Sequence, residues 1–123
     1  MARKEFGIWF ERWGIIFQAI GFMEEGEGIW KETFCGHEVL RRVSNAIGEE
    51  EAKRFRNDRL GIPSCFKSFL LVTGWKVQGR VLAFRWNGDS YEEVWLSLDR
   101  PVKDWVRKGG PENDVLVLCR RPS

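Results

Sequence analysis

The stretch EFGIWFERWGIIFQAIGF, residues 5–22, decides how the N-terminal part of the chain is interpreted. Its apolar residues recur at steps of three and four, as they do along one face of an amphipathic helix. A looser alternation, typical of a strand, is also present at Phe6, Ile8 and Phe10 and again at Gly14 and Ile16. Because the charges of Glu11 and Arg12 interrupt the alternation more than the helical period, we predict a helix over residues 3–22 and keep the strand as the alternative.

Three glycines stand seven residues apart in the same stretch: Gly7, Gly14 and Gly21. On a helix they would lie in one line along the surface. Each would destabilise the helix by about 1 kcal/mol relative to alanine, so a line of three glycines implies a compensating structural or functional role. It indicates either close approach of a neighbouring element or the floor of a groove that is walled by aromatic rings.

A second helical segment is predicted over residues 37–59, with an interruption at Gly48. Apolar residues at helical spacing mark its first half, and acid–base pairs four residues apart mark its second half. After Pro63 the chain changes to short runs of β-branched and aromatic residues. We predict strands in four of these runs: 65–75, 80–86, 91–98 and 114–119. A short helix over residues 99–110 lies between the last two strands.

These elements predict the α+β fold class. Their order is α-α-β-β-β-α-β, and residues 78–79 and 87–90 supply the turns of a meander. Helices that precede an antiparallel sheet commonly pack together on one of its faces. We therefore expect a single domain over residues 1–123, with N-terminal helices packed on one face of a four-stranded antiparallel sheet.

Charge and cysteine content restrict the location and the partners of the chain. The net charge of +2 is small, so attraction to nucleic acid must come from a local basic patch. Three cysteines without a secretory pattern indicate a reduced, cytoplasmic setting. The longest apolar run contains Glu11 and Arg12, which argues against a membrane partner. Few amides beside many Glu, Lys and Arg residues indicate a thermophile.

No residue pattern in the chain predicts a reaction. Cys35 and His37 could act as a nucleophile and its base, but isolated residues of these types are more often structural. With Cys65 and Cys119 they reach the ligand count of a zinc site without its usual spacing. Phosphate-binding loops, dinucleotide fingerprints and serine elbows are missing. We therefore expect a non-catalytic protein that holds no metal and no cofactor.

The aromatic residues are the unusual feature of the composition. They make up 14% of the chain and include seven tryptophans, more than a domain of this size can bury. They interleave with basic residues, as in WFERW, WKVQGR and FRW. Unpaired bases stack on exposed rings while cations contact the phosphates. We therefore predict sequence-independent binding of single-stranded nucleic acid, DNA or RNA, in an aromatic cleft with an arginine rim.

Strand alternation selects the residues for this site. In YEEVWLSL, Tyr91 and Trp95 share the face that lies opposite the apolar one, so both are candidates for exposure. The predicted stacking residues are Trp75, Trp86, Tyr91 and Trp95, with Trp9, Trp13 and Trp30 as further candidates. The predicted phosphate contacts are Arg54, Arg56, Arg59, Lys76, Arg80 and Arg85.

A second function remains open on the same residues. Trp, Tyr and Arg also dominate the hot spots of protein–protein interfaces, so the chain could be an interaction module such as a viral or plasmid-encoded inhibitor. Salt distinguishes the two functions, because nucleic-acid complexes weaken steeply as the salt concentration rises. The choice between a monomer and a homodimer is open as well.

Helices that precede a four-stranded antiparallel sheet, together with a ring-lined cleft, resemble the archaeal ThermoDBP family of single-stranded DNA-binding proteins. The resemblance lies in architecture and composition and covers most of the chain. It implies non-specific binding of single-stranded DNA in a hydrophobic cleft between helices and sheet, with basic residues along the rims.

Overall fold

The described part of the chain forms one mixed sheet with short helices. The computed structural model describes residues 3–24, 35–41, 43, 45–58, 69–86, 90–105 and 114–121. The elements within them are β1 (Arg3–Arg12), β2 (Ile15–Glu24), α1 (Gly36–Arg41), α2 (Glu49–Asn57), β3 (Phe69–Val77), β4 (Arg80–Trp86), β5 (Tyr91–Ser97), a 3₁₀ helix (Val102–Trp105) and β6 (Asp114–Arg120). Their order across the sheet is β1-β2-β6-β3-β4-β5. Neighbouring strands are antiparallel except β3 and β6, which are parallel.

The N-terminal stretch is a β-hairpin, so the predicted helix over residues 3–22 is wrong. β1 and β2 pair antiparallel along their whole length. Trp13 and Gly14 join them with φ angles of 53° and 74°. Two successive residues with positive φ make the type I′ turn, whose twist matches that of the flanking strands. The alternation at Phe6, Ile8 and Phe10 correctly indicated a strand. The turn at Trp13 and Gly14 ends this strand, so no helix can run through residues 3–22.

The seven-residue glycine spacing therefore does not form a line on one helix. Gly7 lies on β1 opposite Ile20, and Gly21 lies on β2 opposite Phe6. Gly14 supplies the left-handed conformation that the second turn position requires. The predicted line of glycines, and the groove floor that it would form, is thus absent from residues 3–24.

The predicted four-stranded antiparallel sheet with helices on one face is also wrong. β2 pairs with β6, which joins the hairpin to the other strands and extends the sheet to six. Leu70 and Leu71 are neighbours on β3, so they point to opposite faces. Val39 of α1 packs in the core that contains Leu70, whereas Phe55 of α2 packs in the core that contains Leu71. The helices consequently cover both faces.

The predicted strands over residues 80–86, 91–98 and 114–119 agree with the structure within one residue. The helix predicted before Gly48 is shorter, because α1 ends at Arg41, and the described part of the helix predicted over residues 99–110 is a 3₁₀ helix at Val102–Trp105. The strand over residues 80–86 has the predicted bounds, and Gln78 and Gly79, both with positive φ, form the predicted turn before it. Residues 87–89 of the next turn, 65–68 and 106–110 lie outside the described residues. None of the helices in the described ranges is both long enough and apolar enough to cross a membrane.

The chain passes from one face of the sheet to the other through residues 45–47. Val43 belongs to the core on the α1 side, and Ile47 belongs to the core on the α2 side. The N–H of Ile47 donates to the carbonyl of Leu118 on β6, and its carbonyl accepts the N–H of Gly74 on β3 at 2.7 Å. This backbone therefore bridges β6 and β3 beyond the end of their direct pairing.

Gly74 is required for this crossing. A Cβ atom at this position would lie 2.8 Å from the carbonyl oxygen of Ile47, which is a backbone atom held by the hydrogen bond itself. We expect Gly74→Ala to lower the free energy of unfolding by about 1–3 kcal/mol, the usual cost of forcing an atom into a packed site. Urea unfolding of the purified variants measures this change.

The matched control for Gly74→Ala is Gly48→Ala. Gly48 is close to the same crossing, its φ of −90° suits alanine, and a Cβ there would meet no atom within 4 Å. Its substitution should change the free energy of unfolding by no more than about 0.5 kcal/mol. Equal unfolding midpoints for the two variants would contradict the close approach at Gly74.

Candidate nucleic-acid interface

The four predicted stacking residues lie on one face of three adjacent strands. Trp86 of β4 is directly opposite Tyr91 of β5, so the two side chains project to the same side of the sheet. Trp95 is opposite Leu82, whose side chain lies in the α2-side core, and Trp75 of β3 packs against that core as well. We call the surface formed by Trp75, Trp86, Tyr91 and Trp95 the aromatic surface.

A break in the regular pairing of β3 positions Trp75. The register between β3 and β4 shifts between Val72 and Lys76. Thr73, which is buried there, donates its hydroxyl to the carbonyl of Leu82 at 2.8 Å and accepts the N–H of Trp75 at 3.2 Å. A buried hydroxyl that satisfies the bulged backbone fixes where the following side chain emerges.

The rings of the aromatic surface form two contacting pairs. Trp75 and Trp95 meet edge to face, with centroids 5.2 Å apart and ring planes at 74°. Trp86 and Tyr91 are 4.6 Å apart. Trp95 keeps 36% of its surface exposed, and the other three rings are half-buried. Beside the first pair is an open groove of about 680 Å³, lined by Trp75, Val77, Gln78, Arg80 and Trp95.

Helix α2 brings two cations to this surface. The ammonium of Lys53 lies 5.2 Å from the ring centroid of Trp75, and the guanidinium of Arg56 lies 5.5 Å from it. Both distances are within the range of cation–π attraction. Arg56 was predicted from the sequence and Lys53 was not, although a spacing of three residues puts both on one side of a helix.

The three cations near the aromatic surface, Lys53, Arg56 and Arg80, differ in whether they form an ion pair with a carboxylate. Lys53 is 3.2 Å from Glu49, and Arg56 is 3.5 Å from Glu93. Arg80, which lines the groove, makes no ion pair with any residue in the described ranges. Arg80 therefore has the charge most available to an anion.

Two of the predicted phosphate contacts lie on the other face of the sheet. Lys76 is opposite Val81, whose side chain belongs to the α1-side core. Arg85 alternates with the residues of the aromatic surface, and its guanidinium donates to the carbonyl of Trp105 at 2.9 Å. The structure therefore does not bring Lys76 or Arg85 to the aromatic surface.

The remaining predicted residues lie on the far flank of α2 or outside the described chain. The guanidinium of Arg54 is 4.2 Å from the ring centroid of Trp13, which packs on Phe17 and Phe55. This arrangement separates Arg54 and Trp13 from the groove. Three candidates cannot be placed within the described part of the chain: Arg59, Trp30 and the side chain of Trp9.

Two of the residues considered for nucleophilic or metal chemistry, His37 and Cys119, have side-chain partners, and the Cys35 thiol is free and partly buried. His37 Nε2 is 3.1 Å from Asp99 Oδ1, and Cys119 is 1% exposed, with its thiol donating to the carbonyl of Val117. Cys65 lies outside the described residues. In the ranges that are described, no three His, Cys, Asp or Glu residues are grouped to hold a metal ion.

Burial affects the one phenol of the aromatic surface. It raises the pKa of Tyr91 to about 12, because the phenolate would lose water that it retains in an unfolded chain. Tyr91 is the single tyrosine in the sequence, so its ionisation can be measured without interference from a second phenol.

We expect the ultraviolet absorbance of phenolate to appear near pH 12 in the folded protein and near pH 10 in concentrated urea, about 10 being the ordinary value. The unfolded chain then releases this proton first as the pH rises. The contribution of Tyr91 to stability is therefore full below about pH 10 and is lost between about 10 and 12.

Trp86→Ala should lower the pKa of Tyr91, because it uncovers the phenol, and Trp95→Ala should leave that pKa near the wild-type value. An ordinary pKa in the folded wild-type protein would contradict the observed burial. The same titration reports whether later variants keep the aromatic surface intact.

Comparison of the chain with protein-family models, with curated proteins and with solved structures finds no match. The resemblance to the ThermoDBP family rested on N-terminal helices ahead of a four-stranded antiparallel sheet. The hairpin and the six-stranded mixed sheet remove that architectural basis.

Proposed function

We propose that this protein binds single-stranded nucleic acid, DNA or RNA, on the aromatic surface, without catalysis. The observation that carries the proposal is the groove beside Trp75 and Trp95, where exposed ring area lies next to the cation of Arg80, which forms no ion pair within the described residues. A flat base and its charged backbone need these two chemistries at adjacent positions.

Stacking favours a single strand over a duplex. A base in a duplex is covered on both faces by its neighbours, whereas an unpaired base can place one face on Trp95. Such stacking contributes about 1–3 kcal/mol per base and tolerates every base, because each one has a π face. Trp75 supports the ring of Trp95 from its edge, which limits the motion of Trp95 before a ligand arrives.

The cations supply the electrostatic part of binding. Arg80 lies at the groove, and Lys53 and Arg56 lie over Trp75 on the side of α2. Since Lys53 and Arg56 already have carboxylate partners, Arg80 should make the largest electrostatic contribution. Each phosphate contact on a single strand adds about 0.7 to the slope of log K against log salt, so the affinity should fall as the salt concentration rises.

Removal of the exposed ring tests the stacking. We expect Trp95→Ala to weaken binding of an oligo-dT strand about 5- to 150-fold, the loss of one stacked base, whereas Trp95→Phe should retain most of the affinity. Fluorescence anisotropy of a labelled strand measures both variants, and the matching duplex serves as the weak-binding reference. Equal affinity of wild-type protein and Trp95→Ala would contradict the proposal.

Arg80 and Lys76 form a matched pair of cations for the phosphate contact, because they flank one hairpin turn and lie on opposite faces. We expect Arg80→Ala to reduce the slope of log K against log salt by about 0.7, the contribution of one phosphate on a single strand. Lys76→Ala should leave the slope unchanged. Equal slopes in the two variants would mean that the groove does not receive the backbone.

If the aromatic surface binds a protein instead of nucleic acid, the same experiments should give different results. If neither single strands nor duplexes alter the tryptophan fluorescence, the proposal fails and the aromatic surface is left to an interaction between proteins. Binding of such a partner would weaken little at high salt, because apolar rings would contribute most of the affinity.

A further inference from the structure

An acidic side chain lies within the aromatic surface. Glu93 is opposite Phe84 on β4, and it is two residues from both Tyr91 and Trp95, so all three residues of β5 share one side of the sheet. Glu93 is 36% exposed, and one of its carboxylate oxygens is 3.5 Å from a guanidinium nitrogen of Arg56. The rings thus surround a carboxylate that remains accessible from the solvent.

This carboxylate restricts what can be placed on the surface. An ionised carboxylate accepts hydrogen bonds and cannot donate them, and it repels a nearby phosphate. A ligand group beside Glu93 must therefore carry N–H or O–H donors. The ion pair with Arg56 leaves lone pairs on both oxygens for further hydrogen bonds.

On the basis of the function proposed above, we propose that Glu93 binds the Watson–Crick edge of an unpaired guanine that stacks on Trp95. Guanine has two adjacent donors on that edge, N1–H and the N2 amino group, which match the two carboxylate oxygens. Adenine, cytosine and thymine each place an acceptor next to their donor on this edge. A carboxylate therefore accepts two hydrogen bonds from guanine and at most one from the other bases.

The distances along β5 suit this arrangement. Residues two apart on a strand are about 7 Å from each other, because each residue adds about 3.3 Å. The Watson–Crick edge of a base that covers the ring of Trp95 covers part of this distance, and the Glu93 side chain, which projects from the same side of the strand, can cover the rest. The site at Trp95 therefore prefers guanine, whereas the other rings of the surface stack on every base equally well.

The alternative role of Glu93 gives the opposite result on substitution. If Glu93 only forms an ion pair with Arg56 and so keeps Arg56 from phosphates, removal of the Glu93 carboxylate should strengthen the binding of every oligonucleotide to the same extent. If Glu93 binds guanine, its removal should abolish a preference between bases and leave the all-thymine strand nearly unaffected.

The test uses four oligo-dT strands with one central position varied: guanine, 7-deazaguanine, inosine and thymine. 7-Deazaguanine retains the Watson–Crick edge of guanine, and inosine lacks the N2 amino group. We expect the wild-type protein to bind the guanine and 7-deazaguanine strands equally and about tenfold more tightly than the inosine and thymine strands. Glu93→Gln should bind all four strands within about twofold of one another.

The outcomes separate the inference from the proposed function. Equal binding of all four strands by the wild-type protein, or uniform strengthening in Glu93→Gln, overturns the role of Glu93 and leaves single-strand binding in place. Failure of every strand to bind overturns both. The comparison of strands on the wild-type protein needs no variant, so it decides the inference even if Glu93→Gln does not fold.

Discussion

The hydrogen bonds of residues 45–47 with β6 and β3 are the constraint on which the rest of the structure depends. They let the chain leave the face covered by α1 and enter the face covered by α2 without leaving backbone groups unsatisfied. Everything that follows Ile47 in α2, including Lys53 and Arg56, lies on the α2 side for this reason. Without the crossing, Lys53 and Arg56 would not lie beside the ring of Trp75.

The aromatic surface combines a rigid part with an adjustable part. The rings are attached to strands whose other faces are buried, so their positions follow from the core. The cations are long side chains on a helix of nine residues, and their carboxylate partners are half-exposed. Exposed ion pairs of this kind contribute little to stability, and a ligand can replace them at small cost.

The sequence predicted which rings share one face of the sheet better than it predicted the fold. Alternation along β4 and β5 places Trp86 and Trp95 on one face, because a period of two is a local property of any strand. The hairpin was missed because a type I′ turn with tryptophan at its first position lacks the usual Asn-Gly signal. The parallel pairing of β3 with β6 was missed because no local pattern encodes which distant strands meet.

The same limits explain why the predicted cations do not all lie on the aromatic surface. Arg85 and Lys76 follow rings in the sequence, which suggested joint action, but adjacent residues on a strand face opposite ways. The contribution of Lys53 depends on where α2 docks, and nothing within the helix determines that. The face on which a side chain lies could be predicted where it depends on the local strand period. It could not be predicted where it depends on how distant elements pack.

β6 follows the other described strands along the chain, and yet it lies between β2 and β3 in the middle of the sheet. The strands form two separate groups, β1–β2 and β3–β4–β5. The backbone hydrogen-bonding groups on the facing edges of β2 and β3 have no strand partner until β6 inserts between them. Pairings of such large sequence separation make folding slow, and exposed edges invite association with other chains in the meantime. A nascent or truncated chain without β6 would therefore be prone to aggregate rather than to populate half of the native sheet.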